Sequence, residues 1–326
     1  MSRLSPKRLA AIAAAGIATL MTVVLVAPSS GQDAARPAAE IQSQRCFGAA
    51  ARDPARRCVN RQLRYTVVPL PSEARAGQNS PCAPGDQTEE LYPCHFGVPR
   101  EQARRTIALV GDSHAAHWRA AVDVVAHFYG WHGISLTQTG CPMTKAIPIL
   151  KGRQRDDCLG YNEEIGPWLE RHPEVRTIIT SQHGGRVVTE PGQSQRDAQI
   201  EGFIRAFDEL PRSVEQIIVL RDTPWSTRSA PECIERAVID RRPPGATCAI
   251  PRARSLRPDL AAEAAVLMGS PRVHLIDLTP FMCGRDKCFP VVGGALVHKD
   301  GGHITQVFSR TLGPYVARYV KRLMRP

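Results

Sequence analysis

From residue 106 onward, short apolar runs alternate with longer segments in which apolar residues recur every three or four positions. The short runs are typical of buried strands, and the longer periodic segments are typical of amphipathic helices. The strand-like runs lie at 106–111, 134–138, 175–180, 215–220 and 272–277. The helix candidates lie at 114–129, 157–171, 193–210, 255–268 and 305–324, and Pro314 is expected to interrupt the last of them.

This alternation predicts an α/β fold with a doubly wound, mostly parallel five-stranded sheet flanked by helices. Parallel strands need crossover connections, and the helices in those connections cover the faces of the sheet. In such sheets the reactive groups lie where the strands end at their carboxyl edge. A long insertion at 223–258 contains six prolines and is expected to form a surface excursion near that edge.

The amino terminus has a different pattern. Basic residues at 3, 7 and 8 precede an uncharged run at 9–27, and the next residues are rich in Pro, Ser, Ala and Gly. The run exceeds the ~7–15 residues of a cleaved signal core and approaches the ~20 that span a bilayer. An uncleaved anchor and a cleaved signal peptide both stay open. In either case the rest of the chain lies outside the cytoplasm, so the protein is expected to be tethered to the plasma membrane through residues 9–27 or secreted.

Composition excludes several classes of protein. The chain has 326 residues, of which 43% are hydrophobic and 22% charged. It is too apolar to be disordered, its glycines lack a collagen period, and a single long apolar run does not make a polytopic membrane protein. The net charge of +11 comes from arginines spread along the chain. This indicates compositional bias and no nucleic-acid partner, although attraction to an anionic glycan or lipid surface stays open.

These patterns divide the chain into three predicted parts. Residues 1–27 form the signal anchor or signal peptide, and residues 101–326 form the catalytic domain. Between them, residues 28–100 form a loop-rich lead-in with four cysteines and one strand-like stretch at 63–68.

Ten cysteines support export, because an even number in a secreted chain indicates disulfides. We expect each cysteine to pair with its neighbour in sequence, although connectivity cannot be proved from the sequence. A zinc site is the rival interpretation, but no Cys-x-x-Cys pair is present. The expected pairs are Cys46 with Cys58, Cys82 with Cys94, Cys141 with Cys158, Cys233 with Cys248, and Cys283 with Cys288.

Two motifs at opposite ends of the α/β pattern carry the candidate chemistry. The first strand-like run ends in Gly-Asp-Ser-His at 111–114, which places Ser113 on a strand-to-helix turn beside the free N–H groups of the helix. A serine nucleophile needs an imidazole base and an orienting carboxylate. The motif Asp-Gly-Gly-His at 300–303, just before the last helix, supplies both in Asp300 and His303. Either motif alone could be a helix cap or a turn. Together they indicate a catalytic triad.

These motifs, with Gly-Cys-Pro at 140–142 and Asp277 before the last cysteine pair, resemble the SGNH (GDSL-like) hydrolase superfamily. The resemblance is closest to the extracytoplasmic SGNH domains associated with membrane acyltransferases of family 3, and it covers about residues 94–326. It implies that Ser113 is the nucleophile, that His303 is the general base and then acid, and that Asp300 orients His303.

The resemblance also implies an oxyanion hole made by the backbone N–H groups of Ser113 and Gly140. The superfamily's third donor, an Asn after the next strand, is absent here. Gln182 or His183 could substitute for it, and a plain turn is the alternative for that segment.

Several further side chains could have either a functional or a purely structural role. His114 and His117 could form one face of a metal site, but the sequence offers no third ligand at a useful spacing, so packing is favoured and no metal or cofactor is expected. Trp118 and Trp225 could stack on a sugar ring or simply pack. Asp277 could serve as an alternative acid, although a loop or capping role is favoured.

The sequence therefore predicts an extracytoplasmic serine-dependent O-acyltransferase or acyl esterase that acts on a cell-surface glycan through an acyl-serine intermediate. The expected partners are an acyl donor, a glycan acceptor and a separate multispanning membrane acyltransferase, since the chain has no second hydrophobic run. The alternative is a non-catalytic envelope module that keeps the SGNH fold for glycan binding or as a scaffold. The absent Asn motivates this alternative.

Overall fold

The computed structural model describes residues 38–56, 58–86 and 88–323. The predicted signal or anchor at 9–27 lies outside the described residues. Within the described part of the chain, no helix is long and apolar enough to cross a membrane.

Within the described residues we label eleven strands and ten α-helices in chain order, and a further helical stretch covers 38–42. The strands are β1 (Ala83–Pro84), β2 (Cys94–Gly97), β3 (Arg105–Gly111), β4 (Trp131–Thr137), β5 (Val175–Ser181), β6 (Gln216–Leu220), β7 (Ile250–Pro251), β8 (Val273–Ile276), β9 (Lys287–Cys288), β10 (Val291–Val292) and β11 (Ala295–Leu296). The helices are α1 (Pro71–Ala76), α2 (Ser113–Ala116), α3 (Arg119–Tyr129), α4 (Arg153–Arg171), α5 (Gln195–Asp208), α6 (Ala230–Ile239), α7 (Pro244–Thr247), α8 (Arg252–Ser255), α9 (Leu260–Met268) and α10 (Gln306–Leu323).

Seven strands form the central sheet in the order β1-β2-β4-β3-β5-β6-β8. The five from β4 to β8 in this order are parallel, and they are the five strands predicted from the apolar runs. The sheet is larger than predicted because β2 pairs antiparallel with β4 and β1 with β2. Both additions come from the segment assigned to the lead-in.

Helices cover both faces of the sheet, as a doubly wound fold requires. One hydrophobic core lies between the sheet and the helices α3 and α10, and it also takes in Phe47, Ala49 and Leu63 of the lead-in. The other core lies between the sheet and α4, α5 and α9. The lead-in therefore packs directly on the α/β core.

The strand predicted at 63–68 is wrong. Residues Arg61–Tyr65 form a 3₁₀ helix, which Asn60 caps by accepting a hydrogen bond from the backbone N–H of Gln62 at 3.0 Å. Only Val68 makes an isolated strand-like bridge, to Ala295. Because proline has no N–H to donate to a ladder, Pro69 prevents the strand from continuing.

Three predicted helices differ from those observed. The segment 114–129 forms two helices, α2 and α3, because the backbone N–H of the fully buried Trp118 bonds to Ala115 O and tightens the turn. The helix predicted at 255–268 starts only at Leu260, after Pro258, where Asp259 caps it. The interruption at Pro314 is wrong: α10 continues through it.

The physical reason that α10 tolerates Pro314 lies in its exposed face. Proline removes the N–H that would bond to the carbonyl four residues earlier. That carbonyl belongs to Arg310, and both residues are exposed. The carbonyl that loses this donor therefore lies on the solvent side of the helix, where the loss costs least.

Five disulfides join the ten cysteines in sequential pairs: Cys46–Cys58, Cys82–Cys94, Cys141–Cys158, Cys233–Cys248 and Cys283–Cys288. The Cys82–Cys94 bond links β2 to the chain just before β1. The Cys233–Cys248 bond closes the predicted surface excursion, which contains α6, α7, β7 and α8.

Gly313 allows α10 to approach α3 closely, and it provides a stability test. A Cβ at this position would lie 2.5 Å from Val124 Cβ and 3.0 Å from Ala121 O. We expect Gly313→Ala to lower the free energy of unfolding by about 1–3 kcal/mol, because the helix pair must separate. Gly160→Ala is the matched control, since a Cβ there meets nothing within 4 Å on the exposed side of α4.

The control is expected to raise the free energy of unfolding by about 1 kcal/mol, the helix-propensity difference between alanine and glycine. Urea unfolding of the full chain in detergent measures both. Equal effects of the two substitutions would contradict the described packing of α10 on α3.

Candidate active site

Ser113 lies where β3 ends and α2 begins, at the carboxyl edge of the central strand. The turn requires glycine at 111, which has φ +137°, and a Cβ there would lie 2.9 Å from Ser181 O. The buried hydroxyl of Tyr161 accepts a hydrogen bond from Gly111 N–H at 3.0 Å and lies 2.8 Å from Leu136 O. Tyr161 thereby fixes the ends of β3 and β4 beside the serine, a role that no motif in the sequence indicates.

Asp112 holds the serine turn against the loop after β5. One carboxylate oxygen accepts from the backbone N–H of His114 and the other from that of His183, each at 2.8 Å. Burial raises the pKa of Asp112 to about 6, although His114 and the two backbone donors oppose this shift. Asp112 thus binds two backbone N–H groups and holds the serine turn to the loop after β5.

The loop at 300–303 carries the second half of the site. Asp300 Oδ1 accepts from the backbone N–H of Gly302 at 2.9 Å and of His303 at 2.8 Å. The same carboxylate lies 2.9–3.0 Å from His303 Nδ1. On the other side of the ring, His303 Nε2 lies 2.9 Å from Ser113 Oγ. The structure therefore brings the three residues of the predicted triad into one hydrogen-bonded chain.

The order of this chain decides its proton positions. An ionised carboxylate only accepts hydrogen bonds, so Nδ1 of His303 carries a proton; in the neutral ring the lone pair of Nε2 then faces the serine hydroxyl. Partial burial alone would raise the pKa of Asp300, but the His303 ring and the N–H groups of His303 and Gly302 outweigh it and hold that pKa well below its usual range. Asp300 is therefore ionised at neutral pH.

The surface excursion supports this loop from behind. The backbone N–H of Ser226 donates to Gly301 O at 2.8 Å, and Thr223 Oγ1 donates to Gly302 O at 3.2 Å. Trp225 lies against Gly302, and the Arg257 guanidinium stacks 3.7 Å from the centre of its ring. Trp118, by contrast, is fully buried in the core.

The positions expected to form the oxyanion hole lie in different environments. Gly140 has φ +72° in the loop after β4, and no other group in the described residues accepts a hydrogen bond from its N–H or from that of Ser113. The Gln182 side chain is buried and engaged: its amide nitrogen donates to Thr180 Oγ1, and its oxygen accepts from Met143 N–H at 3.0 Å. The His183 ring stacks on His114, with ring centres 4.9 Å apart.

A group of further imidazoles lies behind the serine. His114 Nδ1 lies 2.7 Å from Asp222 Oδ1. Burial alone would lower the pKa of His114, but Asp222, with Asp112 and Asp300, outweighs it and raises that pKa. Burial lowers the pKa of His117 well below its usual value. The sequence offered no third ligand beside these two histidines, whereas the fold brings Asp222 to them from the end of β6.

Two cavities flank the triad loop, and both have arginines in their walls. One, of about 320 Å³, is lined by Arg228, Lys299 and Asp300 among others, and the other, of about 310 Å³, by His183 and Arg257 among others. Within the described residues, neither Arg228 nor Arg257 forms an ion pair with a carboxylate.

Asp277, the alternative acid, lies away from the triad: it accepts from Thr279 N–H at 2.8 Å, and its carboxylate lies 3.8 Å from the Arg221 guanidinium.

A doubly wound, mostly parallel sheet with a serine on its central strand-to-helix turn, hydrogen-bonded to a histidine before the last helix, defines an α/β domain of the hydrolase type. A family model described as "SGNH domain (fused to AT3 domains)" matches residues 81–318, and the chain belongs to this family. The family is one of acyl-transfer and esterase domains associated with membrane acyltransferases.

The fold also matches a solved structure, the periplasmic domain of a lipopolysaccharide acetyltransferase from Salmonella ser. Paratyphi A. The TM-score is 0.52 at 14% sequence identity, and the match covers 69% of this chain and 90% of that chain. At this identity the likeness concerns the fold alone. A search of curated protein sequences found no match to the chain.

Proposed function

We propose that this protein is an extracytoplasmic serine-dependent acyltransferase or acyl esterase that acts on a cell-surface glycan. The observation that carries the proposal is the chain of hydrogen bonds from Asp300 through His303 to Ser113, at 2.9–3.0 Å per link. Its geometry suits acyl transfer, in which a base must take the hydroxyl proton as the oxygen attacks a carbonyl carbon.

In the proposed reaction, Ser113 Oγ bonds to the carbonyl carbon of an acyl ester while His303 Nε2 takes its proton. The oxyanion is stabilised by the N–H groups of Ser113 and Gly140. As the intermediate collapses, the imidazolium returns the proton to the leaving alcohol and the acyl group stays on Ser113. Water then releases the acyl group in an esterase, and a sugar hydroxyl receives it in a transferase, with His303 again acting as base and then acid.

Family and fold support the compartment and the partner. The family's SGNH domains are fused to AT3 acyltransferase domains, and the structural neighbour is a periplasmic domain. We propose that residues 1–27 tether or export this chain, that 28–100 form the disulfide-bonded lead-in, which adds β1 and β2 to the sheet, and that 101–326 form the catalytic domain. A separate multispanning acyltransferase would then deliver the acyl group. Arg228, Arg257 and Lys299 beside the triad loop favour an acidic glycan as the acceptor.

Turnover of a simple acyl ester tests the proposal. Full-length protein in detergent is expected to release p-nitrophenol from p-nitrophenyl acetate with saturation kinetics, with a first burst of one equivalent if deacylation is slow. An acidic oligosaccharide added as acceptor is expected to become acetylated if the protein is a transferase, and mass spectrometry detects that product. No release above the rate in buffer would contradict the proposal and favour the non-catalytic envelope module.

A further inference from the structure

Three side chains behind the triad have the composition of a metal site. They are His114, His117 and Asp222, and one ligand atom from each lies within 4.8 Å of the other two. The two histidines lie one helical turn apart at the start of the helical segment, and Asp222 follows β6 at the same edge of the sheet. Two neighbouring histidines and one aspartate from a distant part of the chain therefore converge on one point.

The burial of the His117 ring without hydrogen-bond partners among the described residues points to a bound ligand. The His117 side chain is 2% exposed, and neither ring nitrogen has a hydrogen-bond partner in the described part of the chain. Leaving a buried polar atom unpaired lowers stability, so folded proteins pair the large majority of such atoms. Here two such atoms belong to one ring, 5.2 Å from the His114 ring.

Asp222 is held in place as metal-binding carboxylates usually are. Its Oδ1 accepts from Thr223 N–H at 2.7 Å, and its own backbone N–H donates to Asp259 Oδ2 at 2.7 Å. Partners of this kind orient a ligand before the metal arrives. His114 is likewise buried, so little side-chain freedom remains to be lost on binding.

We propose that His114, His117 and Asp222 bind one zinc-type divalent cation beside the triad. Two imidazole nitrogens and one carboxylate oxygen suit Zn²⁺, whereas Mg²⁺ and Ca²⁺ prefer oxygen ligands. Three protein ligands leave a fourth position open in a tetrahedral site. Thiolates offer no competing site, because all ten cysteines are in disulfides.

The arrangement needs small movements to bind the ion. Bonds of about 2.0–2.2 Å to a tetrahedral ion place the ligand atoms roughly 3.4 Å apart. The 2.7 Å contact between His114 and Asp222 must lengthen slightly, and His117 must move closer. The site lies next to the proposed base, since the His303 ring centre is 4.7 Å from that of His114 and 5.9 Å from that of His117.

Zinc titration of the full-length protein tests the inference. The protein is purified in detergent with a tag free of histidine, stripped with EDTA, dialysed, and titrated with ZnSO₄ against a chromogenic chelator. We expect one equivalent of Zn²⁺ to bind in the micromolar range or tighter. His117→Phe and Asp222→Asn are expected to weaken binding at least tenfold.

His274→Phe is the matched control, because His274 is a partly buried histidine outside the cluster whose Nε2 has no hydrogen-bond partner among the described residues. It is expected to bind zinc like the wild type. His117→Gln, which keeps a polar side chain, is measured alongside in case the phenylalanine prevents folding, as judged by circular dichroism. No zinc binding by the wild type, or equal binding by the wild type and the His117 variants, would overturn the inference.

The inference does not depend on the proposed function, and labelling of Ser113 by a fluorophosphonate separates the two. This probe reacts with an activated serine and needs no metal. Labelled protein that binds no zinc would contradict the metal site alone. Zinc-binding protein that resists labelling would contradict the acyl-serine mechanism alone.

Discussion

Replacing Ser113 with alanine is expected to reduce hydrolysis of p-nitrophenyl acetate to the rate in buffer. The hydroxyl is the only group of the protein that bonds to the acyl carbon in the proposed mechanism, and His303 Nε2 lies 2.9 Å from it. Loss of a triad nucleophile costs on the order of 10⁶ in kcat where the triad acts as a unit. Initial rates of the full-length protein in detergent measure the effect.

Ser226→Ala is the matched control for this experiment. Ser226 lies beside the triad loop, but the contact that its residue makes with Gly301 comes from its backbone N–H and survives the substitution. Its rate is therefore expected to equal that of the wild type. A Ser113→Ala protein with wild-type turnover would exclude Ser113 as the nucleophile.

Replacing Asp300 with asparagine is expected to lower kcat by about 10⁴. An amide at this position favours the wrong ring tautomer of His303 and gives no charge to stabilise the imidazolium. The two oxygens of Asp300 lie 2.9–3.0 Å from Nδ1 of His303, and Asp300 is ionised at neutral pH because hydrogen bonds hold its pKa low. The measurement is kcat for the acetate ester at pH 7 to 8.

Asp277→Asn tests whether Asp277 or Asp300 is the acid that orients His303. Asp277 bonds to Thr279 N–H and lies near Arg221, away from the imidazole. Its loss is expected to leave kcat unchanged. If Asp277→Asn lost as much activity as Asp300→Asn, the assignment of the orienting acid to Asp300 would be wrong.

The sequence predicts the sheet core well because the parallel strands are buried on both faces and read as short apolar runs. All five parallel strands are found near their predicted positions. The two triad motifs are also visible in the sequence, because each is a local run of four residues. Each run combines residues that form a backbone turn with the reactive side chain.

The remaining features depend on contacts between distant residues. Asp222 is 108 positions from His114, and no local pattern signals that they meet at 2.7 Å. Tyr161 supports the serine turn from a helix of ordinary amphipathic character. The break after α2 follows from burial of Trp118, and the continuity of α10 through Pro314 follows from its solvent-facing side. Both depend on tertiary packing, which overrides local propensity.

The most direct test of the account is covalent labelling of the proposed nucleophile. Full-length protein in detergent is incubated with a fluorophosphonate and analysed by intact mass and by tryptic peptide mapping. We predict one equivalent of label on Ser113, and none after His303→Ala, because the hydroxyl then lacks its base. Label on another residue, or an unlabelled wild-type protein, would contradict the proposal that this domain works through an acyl-serine.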